Sequence, residues 1–384
     1  MMHGEVMVMK IAIMGRWNAT CGVSLHAELI GRKLIELGHK IVVFAPTLSS
    51  ADKDWHHRHI DVEDEPWVHR VFEETDEYSY PFGGKINAVE IFKEDFDVFI
   101  VEAYNRFPVE EFKKIAKRIR KRAPLILITH LGYIRDTEPL MEIEWDAIVV
   151  FDKRFIDEII KFFGEKIVRK TVIIPYPYAI INDVLPRRPD FAKGKILFIT
   201  YGRQPIVEYL DYIRVLRKLK KKYDFVYWII RSDGKIPFNE KWIIQTVMRP
   251  DIRTIYSLVM GADIHLLPKG ETRAVVLSST LNQILYAGTP TVVPDTRYFE
   301  YIQVNGDGIG PVVKYPLGNT IDLYEKIVAL IENDELREYV SREAKKLALK
   351  YSDEVVAKMF IELFNVVLEK PASIPSIFYR YRAH

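Results

Sequence analysis

The chain has 384 residues, which suits two domains of about 150–200 residues each. Hydrophobic residues make up 48% and charged residues 28%, an ordinary globular composition that excludes disordered and fibrous proteins. The net charge of +2 argues against a surface that binds nucleic acid throughout, and the single cysteine excludes an intrachain disulfide and a thiolate zinc site. We therefore expect a soluble, cytoplasmic, two-domain enzyme, and the low count of four glutamines favours a heat-adapted source.

Short apolar strands alternate with amphipathic helices in the first half of the chain. In the helix predicted over 22–37, Ile30, Leu34 and Leu37 share one face, and Gly38 follows as the C-terminal cap. This alternation predicts a parallel sheet with helices on both faces. The strands are predicted at 10–14, 40–44, 98–101, 125–128, 147–150 and 168–174, and the other helices at 108–122 and 153–163.

A proline-rich stretch separates this half from a second half of similar texture. Four prolines fall between residues 175 and 189, and they are expected to break helix and sheet alike. The alternation of strands and helices then restarts. Strands are predicted at 195–200, 225–230, 263–267 and 291–293, and helices at 207–221, 252–260, 279–287 and from 319 almost to 370.

These patterns predict an α/β fold of two Rossmann-like domains facing across a cleft. The first domain spans 1–180, residues 181–190 form the linker, and the second domain spans 191–351. A last helix, 352–370, is expected to pack back on the first domain, and 371–384 to form a surface tail. Ligands of such sheets bind beyond the carboxyl ends of the strands, so candidate site residues are sought in the loops there.

Two glycines, Gly15 and Gly22, bracket the first loop between strand and helix. Glycine allows backbone N–H groups to approach a phosphate or an acceptor closely, and the following helix start carries partial positive charge. The spacing is not that of a dinucleotide fingerprint, so a plain tight loop is the alternative. Cys21 lies beside Gly22 without an obvious His or Asp partner and is interpreted as a bystander.

His130 follows the predicted strand 125–128, where a ligand-facing residue is expected. Its imidazole could bond a sugar hydroxyl or donate a proton near neutral pH, although a lone histidine often has a structural role only.

Polar residues follow two predicted strands of the second half. Arg203, after Gly202, could hold a diphosphate through two parallel hydrogen bonds, or could be an ordinary solvated arginine. Ser279 and Thr280 stand at a helix start that suits a phosphate, with capping of the helix by Ser279 as the alternative. Gln283, one turn later, could reach a ribose hydroxyl.

Two clusters of charged or ligating residues have simpler alternatives. His56, His57 and His59 lie near Asp61 in a predicted loop, but their spacing does not match a helical metal site, so no metal is expected. Residues 113–122 form a strongly basic helix that could lie on anionic lipid as a peripheral membrane contact. Such a helix could equally dock on its own sheet with its charges solvated.

The order of these motifs resembles the retaining GT-B glycosyltransferases of the family-4 type over nearly all of residues 10–369. The resemblance implies a nucleotide-sugar donor and a hydroxyl acceptor, which could be a sugar, a lipid-linked sugar or a small molecule. The segments that carry the resemblance are 10–14, 22–26, 34–43, Thr129-His130, 172–179, Gly202-Arg203, 262–271 and 286–293.

The chain departs from this family at its usual charged residues. The family's pair of glutamates would fall on Val275 and Gln283, and Glu271 could replace the first of them. The family's lysine after Gly-Arg has no counterpart in 204–214, so Arg231, Lys269 or Arg273 would have to replace it.

What the resemblance implies is transfer of a hexose with retention of configuration, without a metal or another cofactor. His130 and Glu271 would contact the reacting sugar, and Arg203 with the helix start at Ser279 would hold the leaving diphosphate. Gln283 would bind the ribose. Two alternatives stay open: a nucleotide-sugar 2-epimerase on the same fold, and a non-catalytic protein that binds nucleotides or sugars. No nucleic-acid partner is expected.

Overall fold

The computed structural model describes residues 7–51, 62–76 and 78–369. The chain divides into two compact units. The first comprises the chain up to Pro177, residues 274–276 and the chain from Asp353 onward; the second comprises residues 178–273 and 277–352. The histidine cluster predicted at 56–61 and the predicted tail at 371–384 lie outside the described residues.

The first unit is an α/β layer structure around an eight-stranded sheet in the order β4-β3-β2-β1-β5-β6-β7-β8. All neighbouring strands are parallel except β3 and β4. The strands are β1 (Lys10–Met14), β2 (Lys40–Pro46), β3 (Val68–Glu73), β4 (Lys85–Ile86), β5 (Val98–Ala103), β6 (Leu125–Thr129), β7 (Ala147–Val150) and β8 (Thr171–Ile173). The helices are α1 (Gly22–Glu36), α2 (Leu48–Ala51), α3 (Ala88–Lys93), α4 (Val109–Arg120), α5 (Ile134–Met141), α6 (Lys153–Glu158) and α7 (Glu165–Val168).

The second unit has a six-stranded parallel sheet in the order β11-β10-β9-β12-β13-β14. Its strands are β9 (Ile196–Tyr201), β10 (Phe225–Arg231), β11 (Ile243–Val247), β12 (Ile264–Leu266), β13 (Thr291–Pro294) and β14 (Val313–Tyr315). Its helices are α8 (Leu210–Leu219), α9 (Ile252–Met260), α10 (Ser279–Ile284), α11 (Thr320–Glu332) and α12 (Asp334–Lys350). The last helix, α13 (Asp353–Leu368), belongs to the first unit, where Phe360 packs on His26 of α1.

The central strands are buried on both faces, which explains why their sequences are nearly continuous apolar runs. Sequence reasoning missed β3, β4, β11 and β14, because these outer strands are short or carry polar residues. It also merged distinct elements: the predicted helix 153–163 is α6 followed by the 3-10 helix Ile160–Phe163, and the predicted strand 168–174 begins in α7.

The stretch predicted as a linker is bonded to the second unit. The backbone N–H of Arg187 donates to the Ser257 carbonyl at 2.9 Å, and the Ser257 hydroxyl donates to the Leu185 carbonyl at 2.6 Å. Arg188 donates to the Gly261 carbonyl at 2.9 Å. These bonds hold residues 185–188 against α9 and its end.

The basic helix α4 buries Phe112 and Ile119 against its sheet. Much of its charge is paired within the first unit: Lys113 with Glu110 and Glu142, both at 2.6 Å, and Arg120 with Asp146 at 2.9 Å. Contact of residues 113–122 with a membrane surface stays a prediction. Across the parts of the chain that the structure describes, no helix combines the length and apolarity needed to span a bilayer.

Candidate functional site

The loop between β1 and α1 is fixed at both of its predicted glycines. The Gly15 N–H donates to the Phe44 carbonyl at 3.1 Å, and the Gly22 carbonyl accepts the Tyr176 hydroxyl at 2.6 Å. A Cβ at position 15 would lie 2.7 Å from the Cβ of Glu102, so the close approach of β1 and β5 requires glycine there. Cys21 is not a bystander: it is the N-cap of α1, and its sulfur accepts the Ser24 N–H at 3.4 Å.

We expect Gly15→Ala to destabilise the protein by about 1–3 kcal/mol, because the added methyl group must push apart two packed strands. A suitable control is Gly306→Ala, since a Cβ at position 306 meets nothing within 4 Å. Urea unfolding of both variants checks this prediction, and an equal, small effect in the two would contradict it.

A buried carboxylate joins two histidines at the carboxyl ends of β5 and β6. One Glu102 oxygen lies 2.7 Å from His26 Nδ1, and the other lies 2.6 Å from His130 Nε2. Glu102 is 1% exposed and His26 is fully buried, whereas the His130 side chain is 11% exposed. Helix α1 supplies His26, whose ring also packs on Phe151 and Tyr176.

Burial and hydrogen bonding together set the ionisation of Glu102 and of His130. Burial opposes ionisation of Glu102, but the two histidines outweigh it and lower its pKa to about 2. Burial lowers the pKa of His130 despite the hydrogen bond to Glu102. A neutral His130 that donates from Nε2 keeps Nδ1 as a hydrogen-bond acceptor. His130 can then accept a hydroxyl proton rather than donate one.

The atoms of His26, Glu102 and His130 lie within 4.8 Å of one another, close enough to be considered as metal ligands. Both ring nitrogens nearest the carboxylate already bond to it, so a metal would have to displace both hydrogen bonds. The carboxylate is thus satisfied by its two histidines.

A second buried cluster holds the start of the same loop. Arg16 donates to Glu74 through Nε at 2.6 Å and Nη2 at 3.1 Å, and the Tyr104 hydroxyl donates to Glu74 at 2.6 Å. The guanidinium carbon of Arg16 lies 4.1 Å from the centre of the Tyr104 ring. This cluster ties β1, β3 and β5 together at the edge of the sheet that carries His130.

In the second unit, Gly202 and Arg203 follow β9. Gly202 has a φ of +130°, which disfavours any residue with a side chain, and Gln204 packs against its open face. Gln204 is bonded on both sides: its amide donates to the Tyr201 carbonyl at 3.1 Å and its oxygen accepts the Tyr209 hydroxyl at 3.0 Å. These two hydrogen bonds tie the loop that carries Arg203 to its neighbours.

The three residues that could replace the family's lysine lie in different surroundings. Arg231 is buried and donates to the carbonyls of Gln204 at 2.5 Å and Gly234 at 3.1 Å, so it holds loops together. Lys269 follows β12 and is partly buried, with Nζ 5.0 Å from the centre of the Tyr298 ring. The third, Arg273, is exposed.

Helix α10 begins as expected, with its cap one residue earlier than considered. Ser278, rather than Ser279, is the N-cap, and its hydroxyl accepts the Leu281 N–H at 3.4 Å. Ser279 and Thr280 form the first turn, and Gln283 lies one turn later, partly buried.

The two candidates for the family's first glutamate are Val275, by position, and Glu271, as its replacement. They differ in burial. Val275 is 2% exposed and its N–H donates to the Gly132 carbonyl at 3.0 Å, so this position is an apolar packing site. Glu271, the suggested replacement, is exposed, and its carboxylate accepts the Thr272 N–H at 3.1 Å. Glu271 is not held by any buried side chain among the residues that the structure describes.

Sequence reasoning found His130 and missed its partners. His26 looks like one more residue of an amphipathic helix, and Glu102 ends an apolar strand. The available signal was a carboxylate at the end of a buried strand. Its role could not be predicted from the local sequence, because its partner His26 lies 76 residues away along the chain.

The two sheets, with polar side chains at the carboxyl ends of β5, β6, β9 and β12, define the GT-B fold. The Anabaena HepE protein, solved in complex with UDP-glucose, matches with a TM-score of 0.64 and 11% identity over 93% of this chain and 99% of that one. A Rickettsia africae glycosyltransferase matches with a TM-score of 0.64 and 13% identity over 95% and 100%. The pneumococcal O-GlcNAc transferase GtfA, in complex with UDP and GlcNAc, matches with a TM-score of 0.63 and 11% identity over 94% and 99%.

Similarity in sequence is more limited. No family model matches the chain. A phosphatidyl-myo-inositol mannosyltransferase of Mycobacterium leprae is 31% identical over 109 residues, a stretch that spans 28% of this chain and 27% of that relative. The comparisons thus establish the fold, as the resemblance in sequence predicted.

Proposed function

We propose that the protein transfers a hexose from a nucleotide-sugar to a hydroxyl acceptor, with retention of configuration and without a metal ion. The observation that carries the proposal is the GT-B fold over nearly the whole chain, with charged side chains at strand ends in each unit. Neighbours with this fold are described in complex with UDP-glucose and with UDP and GlcNAc, which supports a nucleotide-sugar as the donor.

On this proposal the second unit binds the donor. Arg203 would stabilise the negative charge that develops on the leaving diphosphate, with help from the N–H groups at Ser279 and Thr280. Gln283 would bond the ribose, and Glu271 would contact the ribose or the donor sugar. The hydrogen bonds of Gln204 hold the Gly202 loop, which supports a role for Arg203 that would need little reorganisation during the reaction.

In the first unit, His130 would contact a hydroxyl of the donor sugar or of the acceptor. Glu102 holds the Nε2–H of His130, so Nδ1 would accept that hydroxyl's proton in a hydrogen bond. Gly15 and Gly22 would allow the backbone of their loop to approach the acceptor.

A thermal-shift panel of UDP-, GDP- and ADP-sugars tests the proposal directly. Selective stabilisation by one donor supports it, since a ligand that binds only the folded state raises its melting temperature. With that donor, analysis of the products separates the alternatives. A new glycoside of retained configuration is expected, whereas an altered sugar nucleotide without acceptor would identify an epimerase, and binding without turnover a non-catalytic protein.

Arg203→Ala is expected to raise the activation barrier by about 2–4 kcal/mol, the effect of losing one donor that stabilises developing charge. Arg214→Ala is a matched control, because the Arg214 side chain lies on α8 in the same unit and is 61% exposed. The check is the initial rate of transfer at saturating donor. Equal turnover in the two variants would contradict the role given to Arg203.

A further inference from the structure

A groove of about 770 Å³ lies along the edge of the second sheet at which β12 and β13 begin. One of its walls is formed by the turns before these two strands, which contain Asp263 and Pro290, and the other is formed by α12. Arg203 follows the opposite, carboxyl end of β9, so the groove is separate from the proposed donor residues. Its volume is in the range of sites that bind small organic molecules.

Helix α12 presents a charged face to this groove. Its buried residues Ala344 and Ala348 pack in the apolar cluster that also contains Leu281 and Leu285, and this packing sets which face of the helix borders the groove. Side chains that follow one another at intervals of three or four residues then line the groove. The cations among them are Arg337, Arg342, Lys345 and Lys346.

Lys345 lies across the turn at Gly288, which follows the 3-10 helix Leu285–Ala287. Gly288 has a φ of +79°, and a Cβ at this position would lie 2.5 Å from Lys345 Cε, 3.2 Å from Lys345 Nζ and 2.7 Å from Ser341 Oγ. The ammonium group and the hydroxyl therefore lie close to the same point of the groove wall. Two donors in this arrangement can both bond to one oxyanion.

The four cations differ in how their charge is compensated. Arg337 and Lys346 each form an ion pair with an acidic residue three positions earlier on the helix. Arg342 and Lys345 are exposed, and within the described residues neither forms an ion pair or a hydrogen bond. For Lys345 the reason is visible in the sequence, since no acidic residue lies three or four positions away. The N–H groups of these two side chains are available to a ligand.

Two carboxylates also line the groove, Asp263 and Glu338. Asp263 is paired with Arg188 at 2.8 Å, so its charge is already compensated. Glu338 is exposed and lies one turn before Arg342, and within the described residues no ion pair joins them. Once the paired groups are set aside, one carboxylate remains against the two cations Arg342 and Lys345. The charge left for a ligand is therefore positive.

We propose that this groove binds a soluble organic phosphate, whose phosphate group contacts Lys345, Arg342 and the Ser341 hydroxyl. A phosphate monoester carries about 1.5–2 negative charges near neutral pH and accepts several hydrogen bonds, which suits two cations beside a hydroxyl. The groove is larger than a phosphate group, and Met260 and Leu349 offer apolar contacts to the organic part. This second ligand site does not depend on the proposed function.

Calorimetry with glycerol 3-phosphate and glucose 1-phosphate tests this inference. We expect at least one of the two to bind, and more tightly than its counterpart without phosphate, glycerol or glucose. Lys345→Met is expected to bind that phosphate about 10- to 100-fold more weakly, the range for one lost hydrogen-bonded charge. Added salt is expected to weaken binding to the unmodified protein, because the cations are exposed.

Two control variants localise the effect. Lys218→Met removes an exposed lysine of α8 in the same unit, and Arg203→Ala alters the opposite edge of the sheet. Both are expected to keep the affinity of the unmodified protein. The melting temperature of Lys345→Met without ligand is expected to be unchanged, since its side chain is exposed and loses no ion pair. If this variant does not fold, Lys345→Gln takes its place.

Three results would overturn the inference. The first is that neither phosphate binds, or that Lys345→Met binds as tightly as the unmodified protein. The second is a loss of binding in Arg203→Ala but not in Lys345→Met, which would place the phosphate at the other edge of the sheet. The third is binding to phosphatidylglycerol vesicles, but to neither soluble phosphate, that Lys345→Met abolishes, which would identify a lipid surface as the ligand. None of these results affects the proposed function, which nucleotide-sugars test.

Discussion

Replacing Glu74 with alanine is expected to lower the free energy of unfolding by about 3–5 kcal/mol, the usual effect of removing one partner of a buried ion pair. The side chains of Arg16 and Glu74 are each 1% exposed, so the variant leaves a guanidinium buried without its carboxylate. Burial alone would lower the pKa of Arg16, but Glu74 outweighs it and raises that pKa. Tyr104 loses its acceptor at the same time.

Two further variants test whether the loss of stability comes from the unpaired charge. Glu73→Ala, at the exposed neighbouring position, is expected to change stability little. The double variant Arg16→Met, Glu74→Leu is expected to be more stable than Glu74→Ala, because apolar side chains can replace a buried pair without leaving a charge behind. Urea unfolding followed by circular dichroism measures all of them. A double variant as unstable as Glu74→Ala would show that the shape of the packing, rather than the unpaired charge, causes most of the destabilisation.

Acidification is expected to destabilise the protein through the His26–Glu102–His130 cluster. The pKa of Glu102 is depressed from 4.5 to about 2 in the folded protein, so its contribution is complete above pH 4.5 and is lost as the pH falls towards 2. The shift corresponds to about 3 kcal/mol. The pKa of His130 is lowered from 6.5, so protonation favours the unfolded chain, and stability also falls as the pH drops below 6.5.

Glu102→Gln isolates the carboxylate in this pH dependence. The amide has one acceptor oxygen for two histidines, so the variant is expected to be about 1–3 kcal/mol less stable at pH 7. It cannot titrate, so the difference from the unmodified protein is expected to shrink between pH 4.5 and about 2. Glu138→Gln, at an exposed position of α5 in the same unit, is the control. A constant difference across this pH range would contradict the assignment.

The fold could be predicted from local pattern to a large extent. Buried parallel strands such as β5 and β6 are continuous apolar runs, and their helices carry a regular apolar face. Edge strands such as β14 were missed, because three residues with a central Lys314 do not differ from a loop in sequence. Helix ends shifted by a residue or a few, because the cap depends on which side chain reaches a free N–H group, as Ser278 does in α10.

The candidate sites were predicted less completely. His130 and Arg203 were proposed as site residues because each lies within two residues of a strand end, and position relative to a strand end is visible in sequence. The partners of His130 were not found, because His26 and Glu102 belong to different elements. The role of Cys21 as a helix cap was missed although it depends only on neighbouring residues. The reason is that serine, threonine, asparagine and aspartate are the usual caps.

The amino-acid sequence alone determined the class of fold, the order of the central strands and their main helices, and the strand ends after which His130 and Arg203 stand. Periodicity and capping depend on residues a few positions apart, so they can be predicted from the local sequence. Only the tertiary structure decided which charges are compensated. It paired Glu102 with two histidines and Arg16 with Glu74. The physical reason is that strand order and burial set the distance and desolvation of charges far apart in the chain, and these two quantities determine what each charge can bind.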